Sequence, residues 1–182
     1  VADQTVSVST TDDDVAGFTV TETDGSTSVT EAGGTDTFTV VLNAQPDSDV
    51  VVAITSSDNG EASSNSPLTF TSSNWDTPQT VTVTGVDDFL IDGTIASDLV
   101  VAIVDASSDN NFDAVADQTV SVSTTDDDAA GFTVTETGGS TSVTEAGGTD
   151  TFTVVLNAQP DSNVVLSIAS SDTGEATVTS TL

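Results

Sequence analysis

The chain is 182 residues long, with 30 acidic side chains, no Lys, Arg or His, and a formal charge of −30. No ion pair between side chains is possible, a nucleic-acid partner is excluded for want of a basic footprint, and the absence of Cys excludes disulfides and thiolate metal sites. Self-repulsion on this scale opposes compaction, yet 35% of the residues are hydrophobic and fall in periodic runs, which argues for a fold over a disordered acidic chain.

The chain repeats itself. Residues 1–62 recur almost unchanged at 115–176, so that Val1-Ala2-Asp3-Gln4-Thr5-Val6 returns as Val115-Ala116-Asp117-Gln118-Thr119-Val120, an offset of 114 residues. That period is too long for a solenoid repeat and is the size of a small domain. The frame makes residues 1–14 the last strand of one repeat, 15–128 a complete repeat, and 129–182 the first half of the next, ending at the Leu182 that matches Leu68. Half a sandwich has open edges and an uncovered apolar face, so the native chain is expected to continue in both directions.

Taken in order, the first signal is Thr11-Asp12-Asp13-Asp14 ahead of Ala16-Gly17-Phe18, which recurs as Thr125-Asp126-Asp127-Asp128 ahead of Ala130-Gly131-Phe132. Each copy reads as a joint between domains. Three adjacent carboxylates repel, and with no basic residue in the chain a divalent cation is the obvious source of compensating charge. Residues 17–22 then alternate with Phe18 and Val20 on one face. Asp24-Gly25 turns the chain, residues 28–30 resume, and Gly33-Gly34 breaks it again. Residues 37–42 point Phe38, Val40 and Leu42 inward, and residues 50–54 do the same with Val50, Val52 and Ile54.

Residues 56–66 read as a loop containing Asp58-Asn59-Gly60-Glu61, with Asn59-Gly60 a turn dipeptide. Residues 67–71 form a short strand, and the only Trp, Trp75, is expected to cap the core. Residues 80–86 give the cleanest alternation. Asp87-Asp88-Phe89-Leu90-Ile91-Asp92-Gly93 is an acidic loop with an apolar centre, 99–104 a buried strand, and 119–123 the closing strand. About seven short strands, no helical period and intervening turns indicate an all-β fold of immunoglobulin-like β-sandwich type, with a barrel as the alternative.

Four segments carry a resemblance to a known family. Residues 12–22, Val29-Thr30-Glu31-Ala32-Gly33-Gly34 and Val86-Asp87-Asp88 resemble Calx-beta domains. The run from Leu68-Thr69-Phe70-Thr71 through Asn74-Trp75 and Pro78 to Asp88 resembles the Calx-beta-like repeats of giant bacterial surface adhesins of the RTX type. The resemblance implies tandem two-sheet sandwiches that bind Ca²⁺ at the inter-domain end and serve in arrays as a stalk. It implies Glu22, Asp87, Asp88, Asp126, Asp127 and Asp128 as ligands, with Asp92 and Asp58 as further candidates. Asp12, Asp13 and Asp14 would serve the preceding repeat and Glu136 the following one.

The chemistry agrees. Ca²⁺ takes 6–8 hard oxygen ligands in loose geometry, and paired Asp loops, a strand-end Glu and a triple-Asp linker supply such donors if they meet at one pole. Zn²⁺ lacks its His and Cys ligands here. Asp3, Asp24, Asp36, Asp47 and Asp49 read as solvated surface, and Glu31 to Gly34 as a bulge or a switch of the strand between sheets.

The function expected is a structural extender in a long, repetitive extracellular protein of a bacterial cell surface, an adhesin or filament, stiffened by Ca²⁺ at its joints. Its partners would be neighbouring repeats of the same chain. One alternative is a polymeric filament with strands paired between identical chains. Another is a carbohydrate- or ice-binding module using Thr80, Thr82 and Thr84. Catalysis is not expected, since no Cys, His, Lys or Tyr is present to act as nucleophile or base. No apolar run approaches the ~20 residues of a membrane-spanning helix.

Overall fold

The computed structural model describes residues 1–178, so the match of Leu182 to Leu68 lies outside the described residues. The chain falls into two units: Val1–Asp87 with Thr94–Thr125, and Asp88–Gly93 with the chain from Asp126 onward.

The first unit holds nine strands: β1 (Phe18–Glu22), β2 (Thr27–Thr30), β3 (Thr35–Leu42), β4 (Val50–Ser56), β5 (Ala62–Ser64), β6 (Leu68–Phe70), β7 (Gln79–Gly85), β8 (Ile95–Ile103) and β9 (Gln118–Thr125). They form a four-stranded sheet in the order β1-β3-β7-β5 and a five-stranded sheet in the order β2-β9-β8-β4-β6. All pairs are antiparallel except β2 with β9, which run parallel from Thr27↔Val122 to Thr30↔Thr125. Inward residues of both sheets share one core, among them Phe18, Phe38, Val40, Val50, Val52, Phe70, Val81, Val83, Leu99, Val101, Val120 and Val122, and Trp75 packs against it half-buried. The outward positions of β7 are Thr80, Thr82 and Thr84, the half-wet pattern expected of a β-branched strand. The fold is all-β. Its helical turns are short 3-10 segments, and no helix among the described residues is long and apolar enough to cross a membrane.

Two departures from the sequence reading have local causes. The count exceeds seven partly because the 56–66 loop contains β5, whose Ala62 to Ser64 pair with the far end of β7. The buried strand starts at Ile95 and not at residue 99, because residues 95–98 continue the ladder with β9 from Ile95↔Thr124. Residues 1–17 carry no strand.

In the second unit, β10 (Phe132–Glu136) pairs with β11 (Phe152–Leu156) from Phe132↔Leu156 to Glu136↔Phe152. This repeats the register of β1 with β3, which runs from Phe18↔Leu42 to Glu22↔Phe38.

Candidate metal site

One end of the first unit gathers four chain segments around two glutamates. β2 presents Thr27 and Val29 inward, and the same alternation carries Glu31 onto the buried side. Gly33, at φ +79°, then reverses the chain, helped by bonds from Gly33 N to Glu31 O (2.6 Å) and Gly34 N to Thr30 O (3.0 Å). The Glu31 N–H donates to Thr125 O at the end of β9 (3.1 Å). Glu61 precedes β5, and its carbonyl accepts from Val86 N at 2.9 Å. Gly85 N donates to Gly34 O, also at 2.9 Å. This convergence needs a glycine at position 85, since a Cβ there would sit 2.0 Å from Thr30 O.

The result is a pair of carboxylates taken out of water. Glu31 is 1% and Glu61 6% exposed, and each brings a carboxylate oxygen within 4.8 Å of the other. Two ionised groups at that separation repel by about 3.5 kcal/mol at an effective dielectric of about 20. The sequence has no Lys, Arg or His to offset them. A cation bound between them would offset that repulsion. Hard, anionic, buried oxygen donors suit Ca²⁺ and fit neither Zn²⁺ nor a soft metal.

The expected ligands are placed as follows. Glu22 ends β1 half-buried, and its Oε2 accepts from Thr27 Oγ1 at 2.9 Å. Asp58 is exposed and shapes its own turn, accepting from Gly60 N at 2.9 Å. Asp87 is exposed at the edge of the first unit. Asp12, Asp13 and Asp14 are exposed in the strandless start, and Glu136 is exposed on β10.

The second unit contains Asp88, Asp92 and Asp126 to Asp128. Asp126 accepts from Gly93 N (2.9 Å, Oδ2) and Asp128 N (2.7 Å, Oδ1). These amide bonds, Gly93 first, then Asp128 and more weakly Asp92, hold its carboxyl below the usual carboxylate range. Asp126 and Asp128 also bring carboxylate oxygens within 4.8 Å of each other. Asp88 accepts from Leu90 N at 2.7 Å. Asp92 and Asp127 are exposed.

Glu31 and Glu61 were not among the ligands expected from sequence. Glu31 reads as a bulge because Ala-Gly-Gly follows it, although the period of two through Thr27 and Val29 already carries it inward. Glu61 has no such local signal. Its burial comes from Val86 and from β9, where Thr124 Oγ1 donates to Glu61 O at 3.4 Å.

No protein-family model and no curated protein sequence matches the chain. Among solved structures, it is similar to the apo form of the Calx CBD1 domain, with 15% identity, a TM-score of 0.42, and coverage of 61% of this chain and 98% of that one. It is similar to the E. coli chaperone DraB at 9% identity and a TM-score of 0.44, covering 65% of this chain and 59% of that one. It is also similar to SSP-19, an MSP-domain protein like family member of Caenorhabditis elegans, at 22% identity and a TM-score of 0.37, covering 57% and 94%.

Proposed function

We propose that this chain is a stretch of the extender region of a long, repetitive extracellular surface protein, built from tandem immunoglobulin-like, Calx-beta-like sandwiches and stiffened by Ca²⁺ where repeats join. The observation that carries this reading is the buried Glu31–Glu61 pair in a chain with no basic side chain. Glu31 and Glu61 would hold the ion. Bound calcium would supply the positive charge that the sequence lacks.

The protein's own contribution is preorganisation. Gly33 and Gly85 allow the 31–34 turn to meet the end of β7, and the Glu31 amide ties that turn to β9. A site so assembled exists only when the whole unit is folded, so calcium affinity and folding are coupled. Extracellular modules bind with Kd of about 10⁻⁴–10⁻³ M, so millimolar calcium would fill about half or more of the joints.

Calorimetric melting of the full chain tests this. Calcium in hundredfold excess over its Kd should stabilise the first unit by about 2.7 kcal/mol relative to chelator, with a smaller effect from magnesium, which prefers fewer protein ligands. An unchanged melting temperature contradicts the proposal.

A further inference from the structure

The turn that delivers Glu61 occurs twice with one difference. Residues 56–62 read Ser-Ser-Asp-Asn-Gly-Glu-Ala and residues 170–176 read Ser-Ser-Asp-Thr-Gly-Glu-Ala. Their geometry is the same. Ser56 Oγ accepts from Asp58 N at 3.2 Å and Ser170 Oγ from Asp172 N at 3.2 Å. Asp58 Oδ1 accepts from Gly60 N at 2.9 Å and Asp172 Oδ1 from Gly174 N at 2.9 Å. The substitution of Thr173 for Asn59 therefore changes chemistry and leaves the turn alone.

We propose that Asn59 is a site of spontaneous deamidation, with the Asp58 carboxylate as the base. Gly60 has no Cβ to hinder its nitrogen, both residues are exposed, and no other asparagine of the chain precedes a glycine. The Gly60 N–H already points at a carboxylate at 2.9 Å, within the 2.6–3.2 Å reach of a general base. As Asp58 takes that proton, Gly60 N attacks Asn59 Cγ. The N–Cγ bond forms, the Cγ–Nδ2 bond breaks, and the nitrogen leaves as ammonia carrying the relayed proton. Water then opens the cyclic imide. Cleavage of N–Cγ leaves an ordinary aspartate at this position. Cleavage at the main-chain carbonyl gives isoaspartate, with the backbone rerouted through Cγ. The main-chain carbonyl is the more electrophilic of the two, so isoaspartate predominates. Thr173 has no carboxamide and cannot follow this course.

The product sits in a turn wound on one atom. Asp58 O accepts from Ser56 Oγ (2.8 Å), Ala62 N (3.2 Å) and Glu61 N (3.4 Å). An extra methylene between Asp58 and Glu61 breaks this closure and displaces Glu61 from Glu31. Ageing of the first copy should thus weaken its cation site, a consequence that rests on the calcium reading above.

The experiment incubates the full chain at mildly alkaline pH and follows each asparagine by peptide mass spectrometry. Asn59 should convert first, D58N should slow its conversion by about tenfold or more, and N59T should leave that peptide unchanged. Conversion of Asn59 no faster than Asn65 or Asn110 overturns the site, and a D58N rate equal to wild type overturns the base. Calcium titration of aged protein should show weakened binding in wild type and none of that loss in N59T. Equal affinity of aged and fresh wild type overturns the consequence. The mass readout is independent of calcium, so a fresh protein that ignores calcium defeats the stalk reading and leaves the deamidation measurement to stand or fall alone.

Discussion

Residues 15–62 and 129–176 are close copies, and 1–14 and 115–128 are identical, yet the copies have different fates. Phe18 is 4% exposed and its counterpart Phe132 55%. Val120 and Val122 are 2% and 1% exposed in β9, whereas Val6 and Val8, in the same words of sequence, are 86% and 82% exposed and in no strand. Glu31 and Glu61 are buried, but Glu145 and Glu175 are exposed and line an open cavity of about 820 Å³ with Val143, Phe152 and Ile168. In the first unit the corresponding Val29, Phe38 and Ile54 lie in one core with Val81, Val83, Val120 and Val122.

The difference separates what a segment does alone from what its neighbours do to it. Local features persist in both copies. Asp14 N donates to Asp12 Oδ1 (3.1 Å) as Asp128 N does to Asp126 Oδ1 (2.7 Å), and Thr141 Oγ1 reaches Glu136 as Thr27 Oγ1 reaches Glu22. Burial does not persist, because it needs β7, β8 and β9. The residues 141–144 that match β2 form no strand, for β2 is held by β9 alone within its sheet. Strand propensity is conditional on a partner and a covered face.

Core truncation should break the symmetry of the copies most. F18A should cost the first unit about 3–5 kcal/mol as a large-to-small core change, while F132A should stay within about 0.5 kcal/mol as a surface change. Chemical denaturation of the two variants side by side checks this; equal effects would mean that the second face is covered in solution.

G85A comes next. A Cβ within 2.0 Å of Thr30 O forces the 31–34 turn off the end of β7, at about 1–3 kcal/mol for overpacking, and should also remove the calcium response. Thermal melts with and without calcium read both effects.

The smallest effect is a pH slope from one carboxylate of the first unit. Asp109, 5% exposed, accepts from Asn111 N (2.9 Å), Ser48 N (3.1 Å) and Asp47 N (2.6 Å). These bonds, Asn111 first, outweigh the opposing effect of burial and hold its carboxyl below the usual range. A lowered folded value contributes stability that is present above the unfolded pKa of about 3.9 and is lost as pH falls through the folded value. Melting temperature should therefore drop in acid below about pH 4, and D109N should flatten that drop. A D109N profile parallel to wild type would remove Asp109 from the account.

The contrast between copies also explains what was legible in sequence. The duplication, the all-β class and the inward Phe38, Val40 and Leu42 follow from the repeated sequence, periods of two and turn residues, which act locally. The acidic loop and the triple Asp stand out in sequence as candidate donors. Glu31 and Glu61 were not visible as a pair, because they lie thirty residues apart in sequence and meet only through Gly85, Val86 and Thr125. A donor set assembled by tertiary contacts leaves no spacing motif to read.

The central claim is that two buried acids in the first unit are held together by a cation. Melting of E31Q beside wild type, in chelator and in calcium, addresses it directly. Without calcium, losing one of two repelling charges should raise the melting temperature above wild type. With calcium, losing a ligand should lower it below wild type. A variant that keeps the same rank in both conditions would contradict the account.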